Sequence, residues 1–280
     1  MTTSTLTPKY FNITYPQENV AHVEINRADK MNSFFEAMWL ELHTIFNHLS
    51  ESPTVRAIIL SGAGPKAFTT GLDVKAASEG LLSSDTPVDP ARKAFHLRRH
   101  ISSFQDCISA IERCEKPVIV AIHGFALGLA VDIATAADIR LCASNTKFSV
   151  KEVDIGLAAD IGTLTRLPKV VGNFGWVKEV ALSARVFGAE EAQRVGFVSQ
   201  VFGSKEEVLK GALELAGLIA SKSPVAVLGT KDILNWSRDR SVEDGLRYTS
   251  VWNSAALQTN DVKAALLSGI QKRKPTFEKL

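Results

Sequence analysis

The sequence predicts an α/β fold carrying a helical C-terminal region, on three observations. Strand-like and helix-like patterns alternate up to about Ser204. The strand candidates Arg56-Ala-Ile-Ile-Leu60 and Val118-Ile-Val-Ala-Ile122 are short apolar runs that end at turn residues. Beyond Ser204 only helical periodicity remains. Repeated strand–helix alternation implies parallel strands with helices outside them.

The elements follow in order. Phe11–Tyr15 and Val20–Ile25 read as a hairpin around Pro-Gln-Glu-Asn. Phe34 to Leu49 carries Phe35, Met38, Leu42, Ile45, Phe46 and Leu49 at helical spacing. The strand Arg56–Leu60 stops at Ser-Gly-Ala-Gly-Pro, and a long amphipathic helix is predicted from about Pro90 to Cys114, ended before Pro117. Val118–Ile122 is the next strand, Gly128–Ala137 a helix of small and apolar residues, and Ile139–Cys142 and Lys147–Val150 are strand-like again. The helices predicted after the switch are Glu206–Ser221, Val225–Trp236, Val242–Leu257 and Asp261–Lys272. The switch divides a core, residues 1–203, from a helical region, residues 204–280, expected to pack on the core or on another subunit.

Composition narrows the function classes. A chain of 280 residues, 45% hydrophobic, can bury a large core. A net charge of +2 with no long basic run gives no reason to expect nucleic acid as a partner. Cys107, Cys114 and Cys142 are odd in number and lack C-x-x-C spacing, which argues against a disulfide framework or a zinc site and fits a reducing compartment. The apolar tract Val118–Ile133 is interrupted by His123, Gly124, Gly128 and Asp132, so no membrane span is expected. The polar start, MTTSTLTPKYFN, has no signal-peptide pattern, and the expectation is a soluble intracellular protein.

Three segments could carry chemistry. Ala67-Phe-Thr-Thr-Gly-Leu-Asp-Val-Lys75 follows a strand and leads towards a helix. Ile122-His-Gly-Phe-Ala-Leu-Gly-Leu-Ala-Val-Asp132 joins a strand to a helix through two glycines. Phe148-Ser-Val-Lys-Glu-Val-Asp-Ile-Gly-Leu-Ala-Ala-Asp160 sets three acids in a largely apolar run. A glycine turn at a helix entrance lets backbone N–H groups face a ligand and a developing negative charge. Each turn taken alone is equally compatible with a purely structural role, and neither is a dinucleotide or phosphate loop of the usual patterns. Asp132 could be a satisfied helix acid, Asp160 an N-cap for Ile161–Arg166, Asp154 structural, and His123 a packed or hydrogen-bonded histidine.

Together the three segments resemble the crotonase, or enoyl-CoA hydratase/isomerase, superfamily, as do His22-Val-Glu-Ile-Asn-Arg-Ala-Asp-Lys-Met-Asn32 and Gly188-Ala-Glu-Glu-Ala-Gln-Arg-Val-Gly-Phe-Val-Ser199. The acid placement is similar to the Δ3,5-Δ2,4-dienoyl-CoA isomerases of that superfamily: Glu152 follows Asp132 by twenty residues and Asp160 follows Glu152 by eight. The resemblance implies a spiral of ββα turns with C-terminal helices that build trimers, often paired into hexamers. It implies an acyl-CoA thioester as substrate, with no cofactor beyond the coenzyme A of the substrate and no metal. It also implies that the backbone N–H groups of Leu72 and Leu129 bind the thioester oxygen, with Thr70, Gly71, Asp73, Lys75 and Gly128 lining the substrate or coenzyme A site. Most hydratases have glycine where this chain has Leu129.

The three acids fit the implied chemistry, since a 3,5-dienoyl-CoA becomes a 2,4-dienoyl-CoA by losing a proton from carbon 2 and gaining one at carbon 6. Asp160 is assigned to carbon 2 and Glu152 to carbon 6, the reverse order being the alternative, with Asp132 setting their protonation states. The rivals are an enoyl-CoA hydratase, a Δ3-Δ2 enoyl-CoA isomerase, and an inactive acyl-CoA- or RNA-binding scaffold on the same fold. The closing Glu278-Lys279-Leu280 resembles a peroxisomal address in its last two residues, with the mitochondrial matrix or cytosol as alternatives.

Overall fold

A computed structural model describes residues 6–76 and 89–280. The chain opens with β1 (Phe11–Gln17) and β2 (Val20–Ile25), an antiparallel hairpin turning at Asn19, followed by α1 (Glu36–Glu51). Three strand pairs come next. They are β3 (Ala57–Gly62) with β4 (Ala67–Thr69), β5 (Val118–Ile122) with β6 (Phe125–Leu127), and β7 (Ile139–Ala143) with β8 (Lys147–Ser149). Helix α2 (Pro90–Arg113) precedes the second pair and α3 (Leu129–Ala136) the third. A short 3-10 turn (Glu152–Ile155), α4 (Thr163–Val170) and α5 (Phe174–Ser183) lead to β9 (Phe187–Gly188), α6 (Ala189–Arg194) and β10 (Gln200–Phe202). The C-terminal helices are α7 (Lys205–Ala220), α8 (Pro224–Ser237), α9 (Val242–Ala256) and α10 (Asn260–Ile270).

Each strand pair divides between two sheets, and this creates the spiral of ββα turns. First strands enter a six-stranded sheet of order β1-β2-β3-β5-β7-β10, parallel from β2 onward. Second strands enter a four-stranded sheet of order β4-β6-β8-β9, parallel except for β9. Strands β3 and β5 are buried along their whole length, which explains why they read as unbroken apolar runs. One face of the six-stranded sheet meets the main core, where Phe34, Phe46, Phe68 and Phe148 are buried. The other face presents Ala57, Ile59, Ile119, Ala121 and Leu141 to Val208, Ala212, Ala216 and Ala220 of α7. Small residues at four-residue intervals let that helix lie close against the sheet. Among the described residues no single helix is long and apolar enough to cross a membrane.

Two details differ from the sequence reading. Helix α1 begins at Glu36 rather than Phe34, because Phe34 pairs as a parallel bridge with Leu72 and Phe35 is extended at φ −136° and ψ 174°. The helix after Asp160 is capped not by that residue but by Gly162, so Asp160 is left for another role.

Candidate active site

Adjacent parallel strands β4, β6 and β8 deliver the three segments to one place, beyond their C-terminal ends, where parallel sheets leave room for ligands. After β4 the chain runs through Thr70, Gly71, Leu72 and Asp73. Phe34 N–H donates to the Gly71 carbonyl and Asp73 N–H to the Phe34 carbonyl, both at 2.8 Å. That bridge geometry turns the N–H of Leu72 away from Phe34, and it has no hydrogen-bond partner among the described residues. Gly71 sits at φ 87°, and a Cβ there would come within 2.8 Å of the Leu127 carbonyl oxygen and 3.4 Å of the Leu129 nitrogen. Only glycine lets the two turns abut so closely.

After β6, Gly128 caps α3 at φ 54° and ψ −115°, and Leu129 is the first helical residue. An N–H at that position has no intrahelical acceptor, and the helix dipole favours negative charge beside it. The N–H groups of Leu72 and Leu129 therefore lie on neighbouring turns. The leucine at 129 does not obstruct this, because its side chain is buried in the core and only the backbone faces the site.

Asp132 lies one turn into α3 and is 1% exposed. Its Oδ1 accepts from the Thr163 N–H, the first of α4, at 2.6 Å. Burial, followed by the charge of Glu152, pushes its carboxyl up to about 7, against the Thr163 hydrogen bond and the nearby Arg166. Glu152 follows β8. The register Leu127↔Ser149 and the bond from Gly128 N–H to the Ser149 carbonyl bring it against α3, 3.2 Å from where a Gly128 Cβ would stand. Burial raises its carboxyl pKa against the pull of neighbouring backbone N–H groups, and the charge of Asp160 adds to the rise. Its Oε2 is buried without a hydrogen-bond partner. Such an oxygen is costly as a carboxylate and suits a group that holds and releases a proton. Asp160 is solvent-exposed, and the Gln105 side chain of α2 donates to its backbone carbonyl.

The other named residues have partners of their own. Asp73 pairs with Arg27 at 2.8 Å, which holds its carboxyl below the usual range, and it accepts from the Ala76 N–H at 3.3 Å. Thr70 donates its backbone N–H to the Met31 carbonyl at 3.2 Å, and Lys75 follows Asp73 on the same segment. Asp154 pairs with Lys151 at the surface. His123 Nε2 lies 2.9 Å from the Gly64 carbonyl, burial holds its pKa near 4, and it is a packed histidine as expected.

Sequence reasoning passed over three supporting residues. Buried Asn32 donates to the carbonyls of Ala63 and Ala67 and accepts from the Arg27 N–H, fixing the loop under Thr70. Arg27 holds Asp73. Arg166, 9% exposed, lies behind Asp132 and pairs with Glu112 of α2. The signal for Arg166 was an arginine between Leu164 and Leu167 in α4.

Residues 16–279 match the family described as Enoyl-CoA hydratase/isomerase. A mitochondrial Δ3,5-Δ2,4-dienoyl-CoA isomerase of Mus musculus is 45% identical over 271 residues, 96% of this chain and 82% of its own length. A peroxisomal Δ3,5-Δ2,4-dienoyl-CoA isomerase of Arabidopsis thaliana is 46% identical, covering 94% of both chains. The crystal structure of an enoyl-CoA hydratase from Bacillus anthracis superposes with a TM-score of 0.87 at 27% identity, over 96% of this chain and 99% of that one. Spiral, paired N–H turns and sequence likeness together establish that the chain belongs to the enoyl-CoA hydratase/isomerase family.

Proposed function

We propose that this enzyme is an isomerase that converts 3,5-dienoyl-CoA to 2,4-dienoyl-CoA by a 1,5-proton shift between carboxyl groups. The observation that supports it most is the gathering of Asp132, Glu152 and Asp160 beside two open backbone N–H groups. Relatives that share 45–46% of its residues carry the same activity in their names. The thioester oxygen accepts from the Leu72 and Leu129 N–H groups. Asp160, exposed to solvent, takes a proton from carbon 2, and the C–H electron pair moves into an extended dienolate whose charge rests on that oxygen. Glu152, whose carboxyl pKa is raised by burial, gives its proton to carbon 6, and the double bonds settle at carbons 2 and 4. Exchange with solvent returns Asp160 and Glu152 to their starting states. The charge of Glu152 raises the pKa of the buried Asp132 carboxyl, so the two groups titrate as a coupled pair. No cofactor is needed beyond the coenzyme A of the substrate.

Hydration of a 2-enoyl-CoA fits less well, because it needs two acids converging on one water, and Asp132 is a methylene shorter than glutamate. Turnover in deuterium oxide tests the mechanism. Deuterium at carbon 6 of the product is expected, since that proton comes from solvent-exchanged Glu152. Transfer of the original carbon-2 proton to carbon 6 would remove the two-acid scheme.

Trimers or hexamers are proposed from the apolar residues that α8, α9 and α10 leave exposed, among them Leu234, Val242, Leu246 and Ile270. An organelle of fatty-acid β-oxidation fits the mitochondrial and peroxisomal names of the relatives. The peroxisome is the reading kept, checked by imaging the tagged protein in cells.

A further inference from the structure

The N-terminal end of α4 is the part of the site with the most elaborate support. Arg166 donates from Nε to Glu112 Oε2 at 3.1 Å, and from Nη2 to Ser109 Oγ at 2.7 Å. Its Nη2 also lies 3.0 Å from Glu112 Oε2. Both partners belong to α2, so the guanidinium joins two helices with its planar fork. Glu112 has a second arginine, Arg238, just past the end of α8. The neighbouring Asp239 pairs with Lys169 in the last turn of α4. Helix α4 is thus tied at one end to α2 and at the other to the C-terminal helical region.

What α4 places directly on the Asp132 carboxyl is the Thr163 N–H, bonded to Oδ1. A hydrogen bond of 2.6 Å to a carboxylate tolerates little drift, and α4 is only eight residues long. The helix is short, and Pro168 lies inside it, so its own hydrogen bonds hold it weakly. Gly162, directly before it, leaves the space that Arg166 fills: a Cβ there would stand 2.1 Å from Arg166 Nη1 and 3.9 Å from Asp132 Oδ1.

We propose that Arg166 is a positioning residue for the acid cluster: anchored on Glu112 and Ser109 of α2, it fixes the start of α4 so that the Thr163 N–H meets the Asp132 carboxylate. Its value to catalysis rests on the isomerase reading above; its action on Asp132 does not. The charged and polar groups that face Asp132 are Glu152, Arg166, the Thr163 N–H and the Thr163 hydroxyl. Of these, Arg166 and Thr163 favour the ionised carboxylate and Glu152 opposes it. Losing the arginine removes one favourable group outright and loosens the other, and the Glu112 left behind it is negative. All three consequences raise the pH at which Asp132 titrates.

The test compares wild type with Arg166→Met and Arg166→Lys. The Asp132 carboxyl is titrated by carbon-13 NMR on aspartate-labelled protein, assigned with Asp132→Asn, and turnover of 3,5-octadienoyl-CoA is measured beside it. Arg166→Met is expected to move the Asp132 midpoint to higher pH. It should lower kcat by about tenfold to a hundredfold while KM stays within about twofold, as expected when a reacting group is misplaced rather than substrate lost. Arg166→Lys, which keeps the charge and can keep one contact to Glu112, should return the midpoint most of the way to wild type. If Arg166→Met does not fold, Arg166→Lys carries the test through a smaller shift in the same direction. A midpoint that neither folded variant moves overturns the proposal, whatever the turnover. A wild type inactive on the diene overturns the isomerase reading instead.

Discussion

Asp132 is the residue on which burial and function pull hardest against each other. Its carboxyl is pushed up to about 7, whereas a free aspartate titrates at 3.8. At low pH the folded and unfolded chains both hold the proton, and the residue is neutral to stability. As pH rises through 3.8 the unfolded chain releases its proton while the folded chain keeps it, so stability falls until about pH 7 and stays reduced above it. The cost in the ionised form is on the order of a few kcal/mol. Asp132→Asn keeps an acceptor for the Thr163 N–H without the charge. It should therefore melt higher than wild type at pH 8 and close to it at pH 4, in thermal unfolding followed by circular dichroism. An Asn variant that is less stable than wild type at pH 8 would show that the carboxylate is held by more than the Thr163 N–H and Arg166. The sequence spacing of Asp132, Glu152 and Asp160 gave away the cluster, because the ends of adjacent strands bring them together. It could not give their environments: Asp132 is sealed in α3, Glu152 half-buried with one orphaned oxygen, and Asp160 open to solvent.

At the scale of elements, the start of α3 permits a test that leaves the fold alone. Leu129 occupies the first helical position, where proline is tolerated because the N–H has no helical partner. Gly128, at φ 54° and ψ −115°, has the mirror image of the extended conformation that a residue before proline adopts. Leu129→Pro should thus remove one oxyanion donor while keeping the helix. Turnover is expected to fall by about 10²–10³, with far-ultraviolet circular dichroism unchanged. Unchanged turnover would take Leu129 out of the oxyanion site. Elements with many turns or complete burial were legible: β5 falls on Val118–Ile122 as read, and α2 starts at Pro90 and ends one residue before Cys114. The short helices α5 and α6, of 10 and 6 residues, were not, since two or three turns display too little periodicity to separate from a loop. Arg166 was missed because its worth depends on Glu112, which lies far away in sequence and close only in space.

For the whole molecule, the C-terminal region is fastened to the core by more than apolar packing. Buried Lys231 of α8 pairs with Asp138 at 2.7 Å and donates to the Lys116 carbonyl, while Arg238 reaches Glu112. The apolar residues of the last helices remain outward, with Val242 80% and Ile270 79% exposed. These residues are the interface of the proposed assembly. Deleting the chain from Val242 onward should abolish assembly in sedimentation velocity experiments, leaving a monomer or an aggregate. A truncated chain that still sediments as a trimer would place the interface elsewhere. The α/β character and the helical tail could be read from the alternation of patterns and its end near Ser204. The division of each strand pair between two sheets could not, because β4, β6 and β8 are only three residues long and their partners are set by register.

The central claim is that the carboxyl groups are spread along an acyl chain rather than converged on a water. The most direct measurement sets two ultraviolet assays on the wild-type protein side by side, isomerisation of 3,5-octadienoyl-CoA and hydration of crotonyl-CoA. The account predicts that isomerisation is faster by several orders of magnitude, because Asp160 and Glu152 each serve one carbon of the diene. Hydration of crotonyl-CoA faster than isomerisation of the diene would contradict it.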